Sequence, residues 1–183
     1  MTSPRSALVI READLARGDA ASVAVAVGAY LRQTEQEKAD HGLTDPIDPD
    51  ADLPEQYRRE VADPAEAYAG CRVFVAQITD IAETPETAEG AKTADQIVGI
   101  MVLASRDDVV EVKRLWAAPA VRGRGIGSAL LNAAVRAAPG GLRLSVWDWR
   151  LGAIRLYESL GFVRVASWDA RERLVCMERI ASR

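Results

Sequence analysis

Histidine is almost absent from this 183-residue chain: His41 is alone, and the only two cysteines, Cys71 and Cys176, stand far apart. A zinc site needs three or four such ligands at short spacing, so no metal is expected. With no histidine near it, Cys71 is expected in the core and not as an acyl-carrying nucleophile. Long apolar runs are missing too. None reaches the roughly 18 residues of a bilayer span, and the opening Met1-Thr2-Ser3-Pro4-Arg5 has no apolar centre of a signal peptide. A cytoplasmic protein without membrane contact is the expectation. Basic residues are not in excess, with 23 Lys and Arg against 27 Asp and Glu and a net charge of −4. That balance excludes a general nucleic-acid binder, which draws its affinity from phosphates. Aromatic residues make up only 5%, yet 49% of the chain is hydrophobic. At this length that predicts one domain, 1–183, with a sizeable core.

Periodicity gives the order of elements. Residues 7–11 predict a first strand, and Val23, Val27, Tyr30 and Leu31 fall at helical spacing within 20–38, with Asp14 or Asp19 as the cap. Pro46, Pro49 and Pro54 among aspartates mark 41–54 as a loop. A second helix covers 55–61 and extends past Pro64 toward Tyr68, followed by a strand over 71–78. The polar stretch 79–96 predicts a long mobile connection. Strands at 97–104 and 109–116, around a turn at Asp107-Asp108, complete an antiparallel meander. Then come a helix over 128–138, stopped by Pro139-Gly140-Gly141, a strand over 142–149, a helix over 151–160 ended by Gly161, and strands at 163–168 and 174–180. The fold class is α/β (α+β), in the order β-α-α-β-β-β-α-β-α-β-β.

Chemistry concentrates at Arg122-Gly123-Arg124-Gly125-Ile126-Gly127, between a strand and a helix. Glycine at alternate positions permits φ > 0 and leaves backbone N–H groups uncovered. The following helix start adds unpaired donors and a positive dipole end, so the unit suits a phosphate. A Walker loop would need a lysine before Ser128, and a dinucleotide fingerprint needs G-x-G-x-x-G where this chain has G-x-G-x-G. The third option is a coenzyme A pyrophosphate loop. Arg122 to Gly127 resembles the R-x-x-G-x-G/A signature of the GNAT superfamily of N-acetyltransferases, and Leu115-Trp116-Ala117-Ala118-Pro119 looks like the strand leading into it. Ala153-Ile154-Arg155-Leu156-Tyr157-Glu158-Ser159-Leu160-Gly161-Phe162 is similar to that family's A-x-x-L-Y-E-x-x-G-F segment. The element order agrees over almost the whole chain, the first quarter by order alone.

The resemblance implies a GNAT-type acyl-CoA N-acyltransferase fold, with a mixed, mostly antiparallel sheet splayed at its centre and helices on both faces. It implies acetyl-CoA as co-substrate, held by Leu115, Trp116, Ala117, Arg122, Gly123, Arg124, Gly125, Ile126, Gly127, Ser128, Arg150 and Ala153. The acetyl group would pass directly, in a ternary complex, to the primary amine of a small molecule or peptide. A non-catalytic acyl-CoA sensor of the same fold is the alternative, and a homodimer is an assembly the resemblance allows. Tyr157 is implied as proton donor to the departing sulfur, on one helix face with Arg150 and Ala153. Arg150 stands where the family commonly has asparagine on the pantetheine arm; arginine can donate there but cannot accept. Backbone N–H groups near Trp116 and Ala117 would stabilise the oxyanion.

Glu111 falls where family members with a strand glutamate place their general base. In a straight strand it shares a face with Lys113, Leu115 and Ala117 and lies about 20 Å from Ala117, so a bulge or a bridging water is required. A surface pair with Lys113 is the competing role. Trp147, Trp149 and Trp168 are expected in the core, and the acidic stretch Asp45, Asp48, Asp50, Asp52, Glu55 as a solvated loop, with attraction of a cationic amine the other option.

Overall fold

A computed structural model describes residues 5–46, 48, 51–81, 96–106 and 109–180. Its elements are β1 (Arg5–Glu12), α1 (Ala20–Asp40), α2 (Glu55–Ala62), α3 (Pro64–Ala67), β2 (Cys71–Ile81), β3 (Gln96–Arg106), β4 (Val109–Ala117), α4 (Ile126–Ala137), β5 (Gly141–Trp147), α5 (Leu151–Ser159), β6 (Val163–Arg164) and β7 (Leu174–Ile180). The order is the expected one, with the second helix broken in two. Asp63 causes the break: its carboxylate accepts the Glu66 amide at 3.0 Å and Pro64 starts α3 afresh. Of the connection expected at 79–96, residues 79–81 and Gln96 belong to β2 and β3, and residues 82–95 lie outside the described set, as does the turn at Asp107-Asp108. β6 spans two residues where six were expected, and β5 stops at Trp147. Asp19 occupies the N-cap position of α1 but does not cap it. Arg11 takes both of its carboxylate oxygens, at 2.6 and 2.8 Å, and the Asp14 amide adds a third bond.

All seven strands form one sheet in the order β1-β2-β3-β4-β5-β7-β6, antiparallel except between β4 and β5. That parallel junction holds through only Val110↔Leu142 and Glu111↔Arg143. Beyond Glu111 no residue of β4 pairs with β5, and the sheet opens there.

The cause lies within β4. Between the pairs Val102↔Lys113 and Ile100↔Trp116 it carries one residue more than β3, a bulge at Arg114, whose φ is +53°. Such a bulge bends and twists its strand. A non-glycine residue in that conformation is strained by about 1–3 kcal/mol. The Arg114 guanidinium is held by Glu60 of α2, through Nε at 2.7 Å and through Nη2. The extra residue also resets the alternation of side chains. Val110, Val112, Leu115 and Ala117 pack toward α4 and α5, while Trp116 packs with α1 on the opposite face. The expected single face for Glu111, Lys113, Leu115 and Ala117 is therefore wrong, because the period of two is broken at Arg114.

Two apolar layers sandwich the sheet. Leu130, Leu131 and Ala134 of α4 and Ile154 of α5 cover one face, with Leu142, Leu144 and Met177 beneath them. Val23, Val27 and Leu31 of α1 cover the other, over Val73, Val75, Ile100 and Val102. Gly99 is the tightest point between strand and helix. A Cβ there would sit 2.8 Å from Cγ2 of Ile126, the first residue of α4, and 3.0 Å from the Trp116 carbonyl oxygen. Gly99→Ala should lower stability by about 1–3 kcal/mol through overpacking. Gly140→Ala, where a Cβ meets nothing within 4 Å, should change it far less. Urea denaturation of the two variants checks the contrast.

Candidate active site

Between β4 and α4 the chain bends without side chains in the way. Gly123 and Gly125 have φ of +77° and +79°, and a Cβ on either would meet open space. Gly125 is the N-cap of α4 and no side chain caps that helix. Among the described residues no group accepts from the amides of Gly123 to Ser128. The helix begins at Ile126, two residues earlier than expected, so Gly127 and Ser128 lie in its first turn. Uncovered donors, two left-handed glycines and a twelve-residue helix pointing its positive end at one place make a cradle for an anion.

The cradle opens into a cavity of about 920 Å³. Leu115, Trp116, Ala117, Arg122, Gly123, Gly125, Ile126, Gly127, Ser128, Arg150 and Ala153 line it, together with Tyr157. Arg124 does not. It borders a separate small hollow with Ala7, Leu8, Ile78 and Ile126. A second cavity, of about 230 Å³, lies where β4 parts from β5, and Tyr30, Leu115, Arg150 and Tyr157 are common to both. Glu111 lines this second cavity. Its carboxylate has a contact at 3.3 Å to Arg143 and a looser one at 3.8 Å to Lys113.

Tyr157 is 7% exposed and its ring tilts against Phe162 at 5.9 Å. Core packing and a place on both cavity walls coexist in this residue. Burial, then the nearby Tyr30, push its phenol upward, against a smaller opposing pull from Arg150, so it stays protonated through and beyond the ordinary phenol range.

Side chains of α1 that the sequence analysis did not single out close the larger cavity. Gln33 accepts from Trp116 Nε1 at 3.0 Å and from Arg122 Nη2, and donates to Glu37 at 2.6 Å. Glu37 also accepts from Arg150 Nε at 2.7 Å and Trp149 Nε1 at 3.1 Å, while Thr34 takes Arg150 Nη2 at 2.8 Å. A polar chain thus runs from the glycine loop across α1 to the start of α5. It occupies two of the donors through which Arg150 was expected to reach a cofactor. Burial raises the Glu37 carboxyl, but the bonds from Gln33, Arg150 and Trp149 outweigh it and hold the group below the ordinary range. The signal in the sequence was the spacing of Tyr30, Gln33 and Glu37 on one helix face. Trp147 is buried as expected; Trp149 stacks between Trp147 at 4.8 Å and His41 at 4.2 Å, and Trp168 is exposed under Arg143.

The chain's residues 49–162 match the model of the Acetyltransferase (GNAT) family. The chain belongs to that family. A GNAT acetyltransferase from Staphylococcus aureus is similar in structure, with a TM-score of 0.64 at 16% identity, covering 96% of this chain and 100% of that one. The PaiA N-acetyltransferase of Thermoplasma acidophilum, in complex with coenzyme A, gives 0.60 at 16% identity over 95% of this chain and 99% of its own. A Streptococcus pneumoniae GNAT acetyltransferase gives 0.59 at 20% identity over 96% of this chain and 100% of its own. No curated protein sequence matches significantly. The GNAT family uses acyl-coenzyme A, and this chain has the family's fold. No helix among the described residues is long and apolar enough to cross a membrane.

The lowered Glu37 carboxyl sets a pH dependence for this GNAT chain. Its contribution to stability is complete above the ordinary carboxylate range and is lost as pH falls through the lowered value. Glu37→Gln should cost about 1–3 kcal/mol at neutral pH, by weakening charged hydrogen bonds. The gap in Tm from wild type should then narrow as pH drops below about 4. Thermal melts of the two proteins from pH 7 to pH 3 check it; a constant gap would contradict the assignment.

Proposed function

We propose that the chain is an acetyl-CoA-dependent N-acetyltransferase that moves the acetyl group directly to a primary amine held in the smaller cavity. The observation that carries this reading is the place of Tyr157 on the wall common to both cavities. The donor's fit rests on the cradle: open space at Gly123 and Gly125 and free amides from Gly123 to Ser128 suit a pyrophosphate, with Arg122 adding charge. Leu115 to Ala117, on the open edge of β4, and Ala153 would flank the pantetheine arm. The thioester supplies an activated acetyl carbonyl.

Glu111, directly or through water, takes a proton from the ammonium; the bulge at Arg114 supports this by bringing Glu111 onto a cavity that Leu115 and Tyr157 also line. The freed amine attacks the carbonyl carbon, a C–N bond forms and the C–S bond breaks. Tyr157 passes its proton to the leaving sulfur as it takes up the second proton from the nitrogen. The phenol thus ends neutral, the thiol (pKa near 8.5) leaves and the net proton is the one on Glu111. Arg150, tied to Glu37 and Thr34, locks the start of α5 so that Tyr157 keeps its place.

Tyr157→Phe should lower kcat by about 10²-fold or more while leaving acetyl-CoA affinity within about twofold. Turnover followed by thiol release and affinity by calorimetry separate the two effects. Glu111→Gln should flatten the acid limb of the kcat/KM profile against pH. Unchanged rates in both variants, or tight acetyl-CoA binding without turnover of any amine, would overturn the reading.

A further inference from the structure

The smaller cavity is walled by charge of mostly one sign. Lys113, Arg114, Arg150 and Arg171 line it against a single carboxylate, Glu111. Arg114 is bound to Glu60 and Arg150 to Glu37, and neither of those glutamates is on this wall. Their counter-charges therefore lie off this wall, Glu37 on the larger cavity, and the wall itself presents mostly positive groups. The Tyr30 ring carries both cations, with their central carbons 5.7 and 5.5 Å from its centroid.

The other two cations have donors to spare. Arg171 gives Nε and Nη2 to Asp169 at 2.9 and 2.6 Å and lies over Trp147 at 5.9 Å, while its Nη1 meets no acceptor among the described residues. Lys113 Nζ is 3.8 Å from Glu111, too far for a hydrogen bond. The bond to Asp169 keeps Arg171 charged, while the Arg114 charge works against it; an anion between them would relieve that repulsion. Glu111, whose ion-pair contacts to Arg143 and Lys113 are 3.3 and 3.8 Å long, keeps capacity to accept an ammonium.

We propose, resting on the transferase reading above, that the acceptor is a small primary amine carrying an oxyanion a few bonds from its nitrogen. Glu111 receives the ammonium, and Arg171 with Lys113 receives the oxyanion. A polyamine fits poorly, because it brings further positive charge to four cations. The acidic stretch, expected as a solvated loop with attraction of a cationic amine as the other option, offers no compensation: Asp45, Asp48, Asp52 and Glu55 line neither cavity, and Asp50 lies outside the described residues. The volume of about 230 Å³ is below that of pockets for drug-sized ligands, which suits a molecule of amino-acid size.

The test is a thiol-release panel of glutamate, β-alanine, β-alanine amide, aminoethylphosphonate and spermidine. Acids should exceed the matched amide in kcat/KM by about tenfold or more, equivalent to roughly 1.4 kcal/mol. The carboxylate and phosphonate arms identify which oxyanion is preferred. Arg171→Ala and Lys113→Met should shrink the acid-to-amide ratio through KM, and Arg171→Lys should restore part of it. A second readout needs no turnover: calorimetric binding of N-acetyl-β-alanine and of its amide to the coenzyme A-loaded protein. Acid-selective binding lost in Arg171→Ala, with no amine turned over, would leave the oxyanion site standing and remove the transferase. Equal handling of acid and amide in both assays, or a preference for spermidine, would overturn the proposal.

Discussion

One extra residue in β4 decides where this molecule can do chemistry. Backbone pairing would otherwise zip β4 to β5 along their length, as in any parallel pair, and leave no room between them. The bulge at Arg114 turns the strand after Lys113, so that pairing ends at Glu111↔Arg143 and the polar edge of β4 faces space. Its strained φ is held by surroundings that include the bond to Glu60, which fixes α2 to the strand at the same point. A local conformational cost, a helix contact and the opening of the sheet are thus one event. The same bulge sends Leu115 and Ala117 to one face and Trp116 to the other, so a single strand segment serves both layers of the core and the wall of the site.

The second determinant is the polar chain through α1. Gln33, Thr34 and Glu37 bind Arg122 and Trp116 at one end and Trp149 and Arg150 at the other. Neither end belongs to α1, so the helix acts as a brace between a loop that follows β4 and a helix that follows β5. Without it, the junction of β4 and β5 would rest on two residue pairs, the Glu111–Arg143 contact and the apolar layers. Buried polar groups satisfied in this way also fix orientation more sharply than apolar contacts do, since each bond has a direction.

Much of this was legible in the sequence, and the parts that were not share a cause. The glycine loop and the A-x-x-L-Y-E-x-x-G-F segment announce their geometry locally, because φ > 0 and a helix register are properties of neighbouring residues. Most of the residues named from those segments line the larger cavity, with Arg124 the exception. Arg124 failed because its side chain, between two left-handed glycines, borders the hollow beside β1 and β2 and not the cradle. The shared face of Glu111 and Leu115 failed because nothing in Lys113-Arg114-Leu115 marks a bulge; the cue is the distant Glu60. Gln33, Thr34 and Glu37 went unread for the same reason, since their partners lie 83 or more residues away for Trp116, Arg122, Trp149 and Arg150. Asp19 looked like a cap until Arg11, on the neighbouring strand, claimed it.

The two halves of the site are built from different materials, and that has a consequence for what can vary. The side proposed to hold the donor is made of backbone amides, two left-handed glycines and a helix end, so it depends on chain path more than on side chains. Chains only 16–20% identical share this fold, at TM-scores of 0.59–0.64. The smaller cavity is lined by side chains of β4, β5, α1, α5 and its N-cap Arg150, Arg171 and the start of β7, so its character depends on which residues stand there. Its charge also departs from that of the whole molecule: a net −4 overall surrounds a wall with four cations and one carboxylate. A local excess of that kind, opposed to the global charge, has to be set by residues whose counter-ions do not line the cavity, and Glu60, Glu37 and Asp169 are such counter-ions.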